Sequence, residues 1–379
     1  MDNPNVTPYD ALFLYSFGGP NKPEDVVPFL RNVTAGKGIP DSRLEEVGEH
    51  YYGFGGKSPI NEQNLALKAA LEDELARRGL NMPVIWGNRN WAPYTTDALD
   101  EMAQRGIKRA VMLVTSAFAS YSGCRQYRED MAVVQRERGD IAEDGTLTPT
   151  AVEFDKVRPY FNHPGFVAGN VNAIREAFAE LNAKSNPEVP THLAFVTHSI
   201  PLTMEQASGV HNPATYSQQH LALAEEIVAQ LRASGDVPAD VNWTLSYCSR
   251  SGPPSQPWLE PDINDHLEEL SGQGIKRVVI SPIGFVSDHM EVAYDLDTEA
   301  LATCADLGLD AVRAGTVGVR PEFVSGLVDL VLERAALARG ENHEQAAETT
   351  LSAFHSVCPE NCCLQKHEQP SGIPTVAGL

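Results

Sequence analysis

The sequence lacks a long hydrophobic run. No apolar stretch reaches the roughly 18 residues that a membrane-spanning helix requires, so no such helix is expected. Residues 1–10 contain neither a basic cluster nor an apolar core, the two marks of a secretory signal. These features predict a cytoplasmic protein with no stable membrane insertion.

Basic residues are also scarce. The chain has 29 Lys and Arg against 51 Asp and Glu, which gives a net charge of −22. Nucleic acids and anionic membranes require a basic surface, so neither is an expected partner. An acidic surface concentrates divalent cations, although it can equally serve solubility alone. A small anionic substrate needs only a few local donors and remains compatible with this composition.

Cysteines are few, but three of the six fall in one short stretch, CPENCC. Cys358, Cys362 and Cys363 are too close in sequence to bridge one another without strain. In a reducing cytosol, clustered cysteines indicate metal binding before disulfides. Three thiolates need a fourth ligand, and four-cysteine coordination suits either zinc or an iron–sulfur cluster. The spacing does not choose between these metals, and incidental thiols remain the alternative.

Apolar segments rich in β-branched residues alternate with longer amphipathic segments. Continuous apolar runs are typical of parallel strands buried on both faces, and the segments between them have helical spacing. The pattern therefore predicts an α/β fold built from strand–helix–strand units. The predicted strands are ALFLYSF, PVIWGN, AVMLVTSAF, HLAFVTHS, WTLSYCS, VVISPIGF and AVRAG.

The chain also contains an internal repeat. The motif GIKR occurs at residues 106–109 and 274–277, each time directly before a predicted strand. The first strand of each half ends in a related turn, SFGGP or HSIP. Because these features occur in the same order in both halves, the sequence predicts two similar Rossmann-like lobes, each a parallel sheet flanked by helices. We expect an N-terminal lobe at 1–150, a C-terminal lobe at 151–340 and a tail at 341–379 with the clustered cysteines.

Two ionisable residues follow predicted strands of the second lobe. His198 comes directly after HLAFVT, and Glu291 lies in SDHME, shortly after VVISPIGF. Ligands of open parallel sheets bind at the carboxyl ends of the strands, so both side chains are candidates for a site. An imidazole there can act as a base near neutral pH and as a ligand for a divalent metal such as Fe²⁺. A satisfied core histidine is the alternative.

A row of carboxylates begins at the same point. Glu291, Asp295 and Glu299 are spaced four residues apart, so on a helix they share one face. Like charges at this spacing repel each other and give no stability. Carboxylate oxygens are suitable ligands for a hydrated divalent ion, which can pass along such a row. A solvated helix face is the competing interpretation.

The loops of the first lobe combine glycines, aromatic residues and hydrogen-bond donors. They are SFGGP at 16–20, HYYGFGGKSPIN at 50–61, GNRNWAPY at 87–94 and SAFASYSGCRQYRED at 116–130. Aromatic and glycine residues together can form a flat slot, and Tyr, Ser and Arg can bind carboxylates. Ordinary turn chemistry explains the glycines and prolines equally well.

Several motifs, in order along the chain, resemble the ferrochelatase family. They are LYSFGGP, YYGFGGKSPIN, GNRNW, THSIP, SRSGPPSQPWLEP and PIGFVSDHMEVAYDLD, and the resemblance extends to about residue 335. The combination of SDHxE with a distant HSxP is specific to that family. The sequence is most similar to the actinobacterial branch, whose members act on coproporphyrin III and carry a [2Fe–2S] cluster.

The resemblance implies a chelatase fold and a set of site residues. His198 and Glu291 correspond to the family's active-site pair, expected on opposite walls of a porphyrin cleft. Phe17 stands where some relatives have a tyrosine that can reach the metal, so that ligand is missing here. Ser58 and Tyr127 correspond to tetrapyrrole contacts, and Cys124, Cys358, Cys362 and Cys363 to the cluster ligands, which leaves Cys248 and Cys304 as structural thiols.

The implied reaction is the insertion of Fe²⁺ into coproporphyrin III to give coproheme in haem biosynthesis. His198 is the expected proton acceptor, and Glu291 the group that guides Fe²⁺. A coproheme decarboxylase is the expected recipient of the product. The alternatives are protoporphyrin as substrate, cobalt as metal, a non-catalytic tetrapyrrole-binding module and a structural iron–sulfur protein.

The polarity of one segment and the charge of the porphyrin indicate which porphyrin is the substrate. The segment NVTAGKGIPDSRLEEVGEHYYG is too polar for docking on a membrane, whereas coproporphyrin III is water-soluble and carries four propionates. Those propionates need local counter-charges on an otherwise acidic protein. The candidate counter-charges are Arg31, Lys57, Arg89 and Arg125.

Overall fold

A computed structural model describes residues 5–252, 255–366, 369 and 372–378 of the chain. Two prolines of the SRSGPPSQPWLEP motif, Pro253 and Pro254, lie outside the described residues. Within the described part of the chain, no helix combines the length and the hydrophobicity that crossing a membrane requires.

The first lobe is a four-stranded parallel sheet with strand order β2-β1-β3-β4. All six residues of β1 are buried, as expected for an apolar strand covered on both faces. The strands are β1 (Ala11–Ser16), β2 (Val84–Asn88), β3 (Arg109–Val114) and β4 (Glu153–Lys156). The helices are α1 (Val26–Val33), α2 (Asp41–Tyr52), α3 (Ile60–Arg77), α4 (Thr95–Gln104), the π-helix π1 (Tyr121–Arg125) and α5 (Gln126–Glu137).

The second lobe repeats this arrangement with strand order β6-β5-β7-β8. Its strands are β5 (Thr191–His198), β6 (Asn242–Cys248), β7 (Arg277–Ser281) and β8 (Asp310–Arg313). Its helices are α6 (Pro164–Lys184), α7 (Leu202–Ser208), α8 (Tyr216–Ser234), α9 (Ile263–Gly272), the π-helix π2 (Val292–Ala300), α10 (Leu301–Asp306) and α11 (Pro321–Ala338). The two copies of GIKR precede β3 and β7, which occupy equivalent positions in their sheets, so the predicted pair of similar lobes is confirmed.

Strand β4 was not predicted from the sequence. It is short and reads EFDK, so it lacks the apolar run that marked the other strands. Its buried Asp155 is satisfied by ion pairing, because the carboxylate binds Arg109 at 2.7 Å and also pairs with Arg334 of α11. The first sheet therefore extends to Lys156, beyond residue 150.

Helix α11 packs between the lobes. It lies against α6, where Gly165 and Gly326 allow the two helices to approach closely: a Cβ on Gly165 would stand 2.4 Å from the carbonyl oxygen of Glu322. On its other side, α11 faces α3, whose end is bound to it through Arg78 and Asp329 at 2.6 Å. The lobes are thus connected by a shared helix as well as by the chain.

The polar tail after residue 341 folds back over this junction. Arg158 donates to the carbonyl of Ala346 at 2.7 Å, and Asn162 donates to that of Leu351 at 3.0 Å. Phe354 is fully buried and contacts Phe161 edge to face. Polar composition suggested a loose segment, but buried side chains of the core bind its backbone.

Removing the carboxylate of Glu333 should destabilise the protein strongly. Arg158 and Glu333 form a buried ion pair at 2.9 Å, with exposed side-chain fractions of 0% and 5%. Loss of one partner leaves a buried charge uncompensated, so Glu333→Ala should lower the free energy of unfolding by about 3–5 kcal/mol. Urea denaturation measures the change. The control is Glu46→Ala, which breaks the exposed pair with Arg43 and should change the midpoint little. Equal effects of the two variants would contradict the prediction.

Candidate active site and cysteine cluster

His198 and Glu291 meet at the carboxyl ends of two neighbouring strands. His198 is the last residue of β5, and Glu291 directly precedes π2 in the loop that follows β7. Nε2 of His198 lies 3.4 Å from Oε1 of Glu291, and both side chains are half-buried. The expectation of opposite cleft walls is wrong, because both residues belong to the second lobe and contact each other directly.

The two side chains form a charged pair at neutral pH. Burial acts to lower the pKa of His198, but the charge of Glu291, its hydrogen bond and the carbonyl of Ser199 raise it to about 9. Burial acts to raise the pKa of Glu291, but the positive charge of His198 lowers it to about 2. Nδ1 of His198 donates to the Ser199 carbonyl, since a carbonyl can only accept. Nε2 therefore faces the carboxylate.

His289, the other imidazole of SDHME, differs in charge. Its Nδ1 accepts the backbone N–H of Glu291 at 3.2 Å, which requires an unprotonated nitrogen. Burial lowers the pKa of His289, in agreement with this neutral state. The site thus holds one imidazolium and one neutral imidazole on either side of a single carboxylate.

The predicted row of carboxylates lies on a π-helix. Asp295 and Glu299 are both in π2, and their charges act on each other. Burial and the neighbouring Glu291 and Glu299 raise the pKa of Asp295 to about 7, against the hydrogen bond that Ser249 donates to it. Asp295 is therefore close to half-protonated at neutral pH. π-helices are rare and occur mostly at functional sites.

The sequence analysis did not single out Ser249. It follows β6 with a positive φ of 62°, a conformation that side chains other than glycine adopt rarely. Its signals in the sequence are its place after a strand and its position at the start of the SRSGPPSQPWLEP motif. The hydrogen bond to Asp295 accounts for its position, because it holds the carboxylate beside Glu291.

Contacts from the first lobe hold the Glu291 loop in place. The side chain of Gln63 accepts the backbone N–H of Asp288 at 2.8 Å and donates to its carbonyl at 2.6 Å. The rings of His50 and Tyr294 stack with centroids 3.9 Å apart, which joins α2 to π2. Nothing in the sequence marked Gln63, because its role depends on how the lobes pack.

Ser58 and Tyr127 lie inside the first lobe. Ser58 is 2% exposed and packs against Gly19, where a Cβ would stand 2.7 Å from the Ser58 side chain. Tyr127 is 4% exposed, and the guanidinium of Arg89 covers its ring at 4.7 Å. The assignment of these two residues to tetrapyrrole binding stays a prediction.

Each candidate counter-charge already has a carboxylate partner. The pairs are Arg31 with Asp41 at 2.7 Å, Lys57 with Glu62 at 2.5 Å, Arg89 with Asp130 at 2.5 Å and Arg125 with Glu129 at 2.7 Å. Arg125 is buried and donates to the carbonyl of Cys362 at 3.1 Å. It therefore supports the cysteine loop, and its expected role as a counter-charge for a propionate stays a prediction.

The four predicted cluster cysteines come together in one buried group. Cys124 in π1 contacts Cys358 and Cys363, Cys358 contacts Cys362, and the sulfurs of Cys362 and Cys363 are 3.6 Å apart. All four are free thiols and at most 4% exposed. Hydrogen bonds from Cys358 and Cys363 lower the pKa of Cys362 to about 4. Four buried cysteine sulfurs that contact one another in this way fit metal coordination.

One more donor stands beside this group. Nε2 of His355 lies 3.3 Å from the sulfur of Cys362, and His355, Cys358 and Cys362 have their ligand atoms within 4.8 Å of one another. His355 was not predicted as a ligand, because a single histidine in a polar tail does not indicate metal binding. Cys304 is buried in the second lobe with its pKa raised by burial to about 12, whereas Cys248 contacts Ser249 beside the carboxylate row.

Fold and site together define a two-lobed α/β protein with a paired imidazole and carboxylate at one set of strand ends, suited to metal binding and proton transfer. The chain matches the Ferrochelatase family model over residues 9–335. It therefore belongs to the ferrochelatase family.

Individual relatives agree with this assignment. The chain is 52% identical to a protein of Streptomyces griseus named coproporphyrin III ferrochelatase, over 96% of each chain. It is 51% identical to the Streptomyces coelicolor protein of the same name, over 97% of this chain and 96% of the relative. Among solved structures, SirB from Bacillus subtilis with Fe³⁺ aligns with a TM-score of 0.48 and 12% identity, over 87% of this chain and 97% of that one.

Replacing Glu291 should change the titration of His198. In Glu291→Gln, the strongest of the interactions that oppose burial is lost while those with Ser199 and Asp295 remain, so the pKa of His198 should fall from about 9 toward its ordinary value of 6.5. NMR of the imidazole carbons measures both values. Because the folded-state pKa of His198 is raised and that of Glu291 is lowered, the pair's contribution to stability is complete between about pH 4.5 and 6.5, and it is lost as pH rises through about 9 or falls through about 2. Glu269→Gln, next to His266, is the control. A wild-type value near 6.5 would refute the ion pair.

Proposed function

We propose that this protein inserts Fe²⁺ into coproporphyrin III to give coproheme, with His198 and Glu291 as the catalytic residues. The observation that supports it best is the 3.4 Å contact between an imidazole and a carboxylate at the strand ends of a ferrochelatase-family chain. Relatives that are about half identical over nearly the whole chain bear the same name. A binding module would need no such pair.

The charge of the pair suggests an order of events. The reaction releases two protons from the macrocycle for each Fe²⁺ that enters it. At neutral pH His198 is protonated because Glu291 is ionised beside it. Binding of the substrate ion at Glu291 cancels the charge that raises the pKa of His198, so the imidazole loses its proton. Nε2 then accepts one pyrrole proton and passes it along the carboxylate row to solvent before it accepts the second, while Nδ1 keeps its bond to the carbonyl of Ser199.

Asp295 and Glu299 fit the approach of the metal. Both carboxylates continue from Glu291 along π2, and oxygen ligands of this type bind hydrated divalent ions. The pKa of Asp295, about 7, lets that group release a proton when a cation arrives and take one up afterwards. The row therefore offers an entry path for the substrate ion and an exit for protons.

The choice of coproporphyrin III over protoporphyrin rests on the relatives and on the polar segment at residues 32–53. Of the large hydrophobic residues described in that segment, only Ile39 and Tyr52 are exposed. We infer that the protein works in the cytoplasm on a water-soluble porphyrin and passes coproheme to a decarboxylase.

We further propose a [2Fe–2S] cluster held by Cys124, Cys358, Cys362 and Cys363. When bound, such a cluster supplies a one-electron redox centre. The residues fit it because four buried thiols lie in mutual contact and one already favours the thiolate form. They join π1 of the first lobe to the tail, so cysteine ligation also fixes the tail. Zinc is the competing occupant.

His198→Ala and Glu291→Gln should each lower metal insertion by at least about 100-fold, because each removes a group that handles a proton or the metal. Formation of the metalloporphyrin is followed by absorbance under anaerobic conditions with coproporphyrin III and Fe²⁺. Unchanged far-UV circular dichroism and a single cooperative unfolding transition show that the fold is intact. Near-normal turnover in either variant would remove that residue from the mechanism.

The same assay separates the candidate reactions. Parallel runs with protoporphyrin, and with Co²⁺ in place of Fe²⁺, give kcat/KM for each combination. Coproporphyrin III with Fe²⁺ should give the highest value, and Glu269→Gln should match the wild type. Higher values with protoporphyrin or with cobalt would redirect the assignment within the family. If no metalloporphyrin forms with either porphyrin, the protein has a binding or structural role instead.

Protein purified anaerobically should contain iron and acid-labile sulfide in equal amounts and show the visible absorption of a [2Fe–2S] centre. Cys124→Ser should lose both, because it removes the ligand from the first lobe. Cys304→Ser should retain both, since that thiol is buried elsewhere in the second lobe. If the wild type contains zinc but no sulfide, the four cysteines form a zinc site and the proposed cluster is wrong.

A further inference from the structure

Lys156 at the end of β4 is a buried cation without an ionic partner. The residue is 4% exposed, and Nζ donates to the carbonyl of Val157 at 2.7 Å. Within residues 5–252, 255–366, 369 and 372–378, no carboxylate forms an ion pair with it. Lysine is almost never fully buried unless its charge is compensated, so this position requires an explanation.

The neighbouring charges do not supply that compensation. Asp155 precedes Lys156 in the strand, so its side chain points to the other face of the sheet, where Arg109 and Arg334 bind it. Near the cysteines, Arg125 is neutralised by Glu129 and Arg158 by Glu333. The carboxylates in this region thus already have cations of their own.

Cys124 lies beside Lys156. Lys156 and Cys124 line the same small cavity of about 10 Å³, together with Gly123 and Arg158. The ammonium group lies close enough to act electrostatically on both Cys124 and Cys358. Thiols are neutral when protonated and compensate nothing, whereas thiolates bound to a cluster leave a net negative charge beside the lysine.

We propose that Lys156 is a buried counter-charge of the iron–sulfur cluster and raises its reduction potential. The inference rests on the cluster proposed above. One-electron reduction adds negative charge to a cluster, so a fixed cation stabilises the reduced form more than the oxidised form. Asn212, which donates to the sulfur of Cys363 at 3.4 Å, acts in the same direction. Lys156 differs from it in carrying a full charge.

The test is an EPR-monitored redox titration of the cluster-loaded protein, with dithionite as reductant and mediator dyes. Lys156→Met should make reduction less favourable by at least about tenfold in the equilibrium constant, which is 59 mV for one electron. Lys156→Arg keeps the charge and should stay close to the wild type. Lys184→Met on the exposed face of α6 is the matched control and should leave the potential unchanged.

A potential in Lys156→Met equal to that of the wild type would overturn the inference while leaving the cluster itself intact. A wild type without iron and sulfide would overturn both. If Lys156→Met does not assemble a cluster, its reduction potential has no readout. The cluster content of Lys156→Met and Lys156→Arg then tests the inference. Retention in Lys156→Arg with loss in Lys156→Met supports a requirement for charge, and loss in both shows that lysine serves only to fill the space beside Cys124.

Discussion

The ion pair between His198 and Glu291 is the interaction on which the site depends. Each residue sets the charge of the other, since the imidazole would be neutral and the carboxylate ordinary without its partner. The pair exists only because β5 and β7 are neighbours and because Gln63 of the first lobe fixes the backbone of Asp288. On the proposed mechanism, Fe²⁺ must compete with the imidazolium for one carboxylate. Binding of Fe²⁺ to Glu291 then also deprotonates His198, which becomes available as the base.

The duplication shows why only the second lobe carries this pair. Ser16 ends β1 as His198 ends β5, and the two strands hold equivalent places in their sheets. Ser16 is fully buried and bonded to Thr115 and Asn64, each at 2.9 Å. At the strand end equivalent to that of His198, the first lobe thus has neutral hydrogen bonds. The second lobe keeps charged groups there, which burial makes sensitive to an incoming ion.

The fold was predictable where one physical effect dominates locally. Seven strands carry continuous apolar runs, and the repeat of GIKR places two of them at equivalent positions. Strand β4 was missed because two of its four residues, Asp155 and Lys156, are charged although they are buried, which composition does not show. His198, Glu291 and the cysteines could be predicted because strand ends and clustered thiols have chemical patterns. Gln63, Ser249 and His355 could not, since each has meaning only through a residue distant in sequence.

The active site and the cysteines are parts of one hydrogen-bonded structure. Asn212 donates to the sulfur of Cys363 at 3.4 Å and to the carbonyl of Ser208 at 2.6 Å. The hydroxyl of Ser208 accepts the backbone N–H of Tyr216 at 2.8 Å, and the phenol of Tyr216 donates to the carbonyl of His198 at 3.2 Å. The segment that holds the backbone of His198 is therefore bound at its other end to the cysteine loop. Whatever orders that loop also orders the strand end, so the polar tail belongs to the architecture of the site.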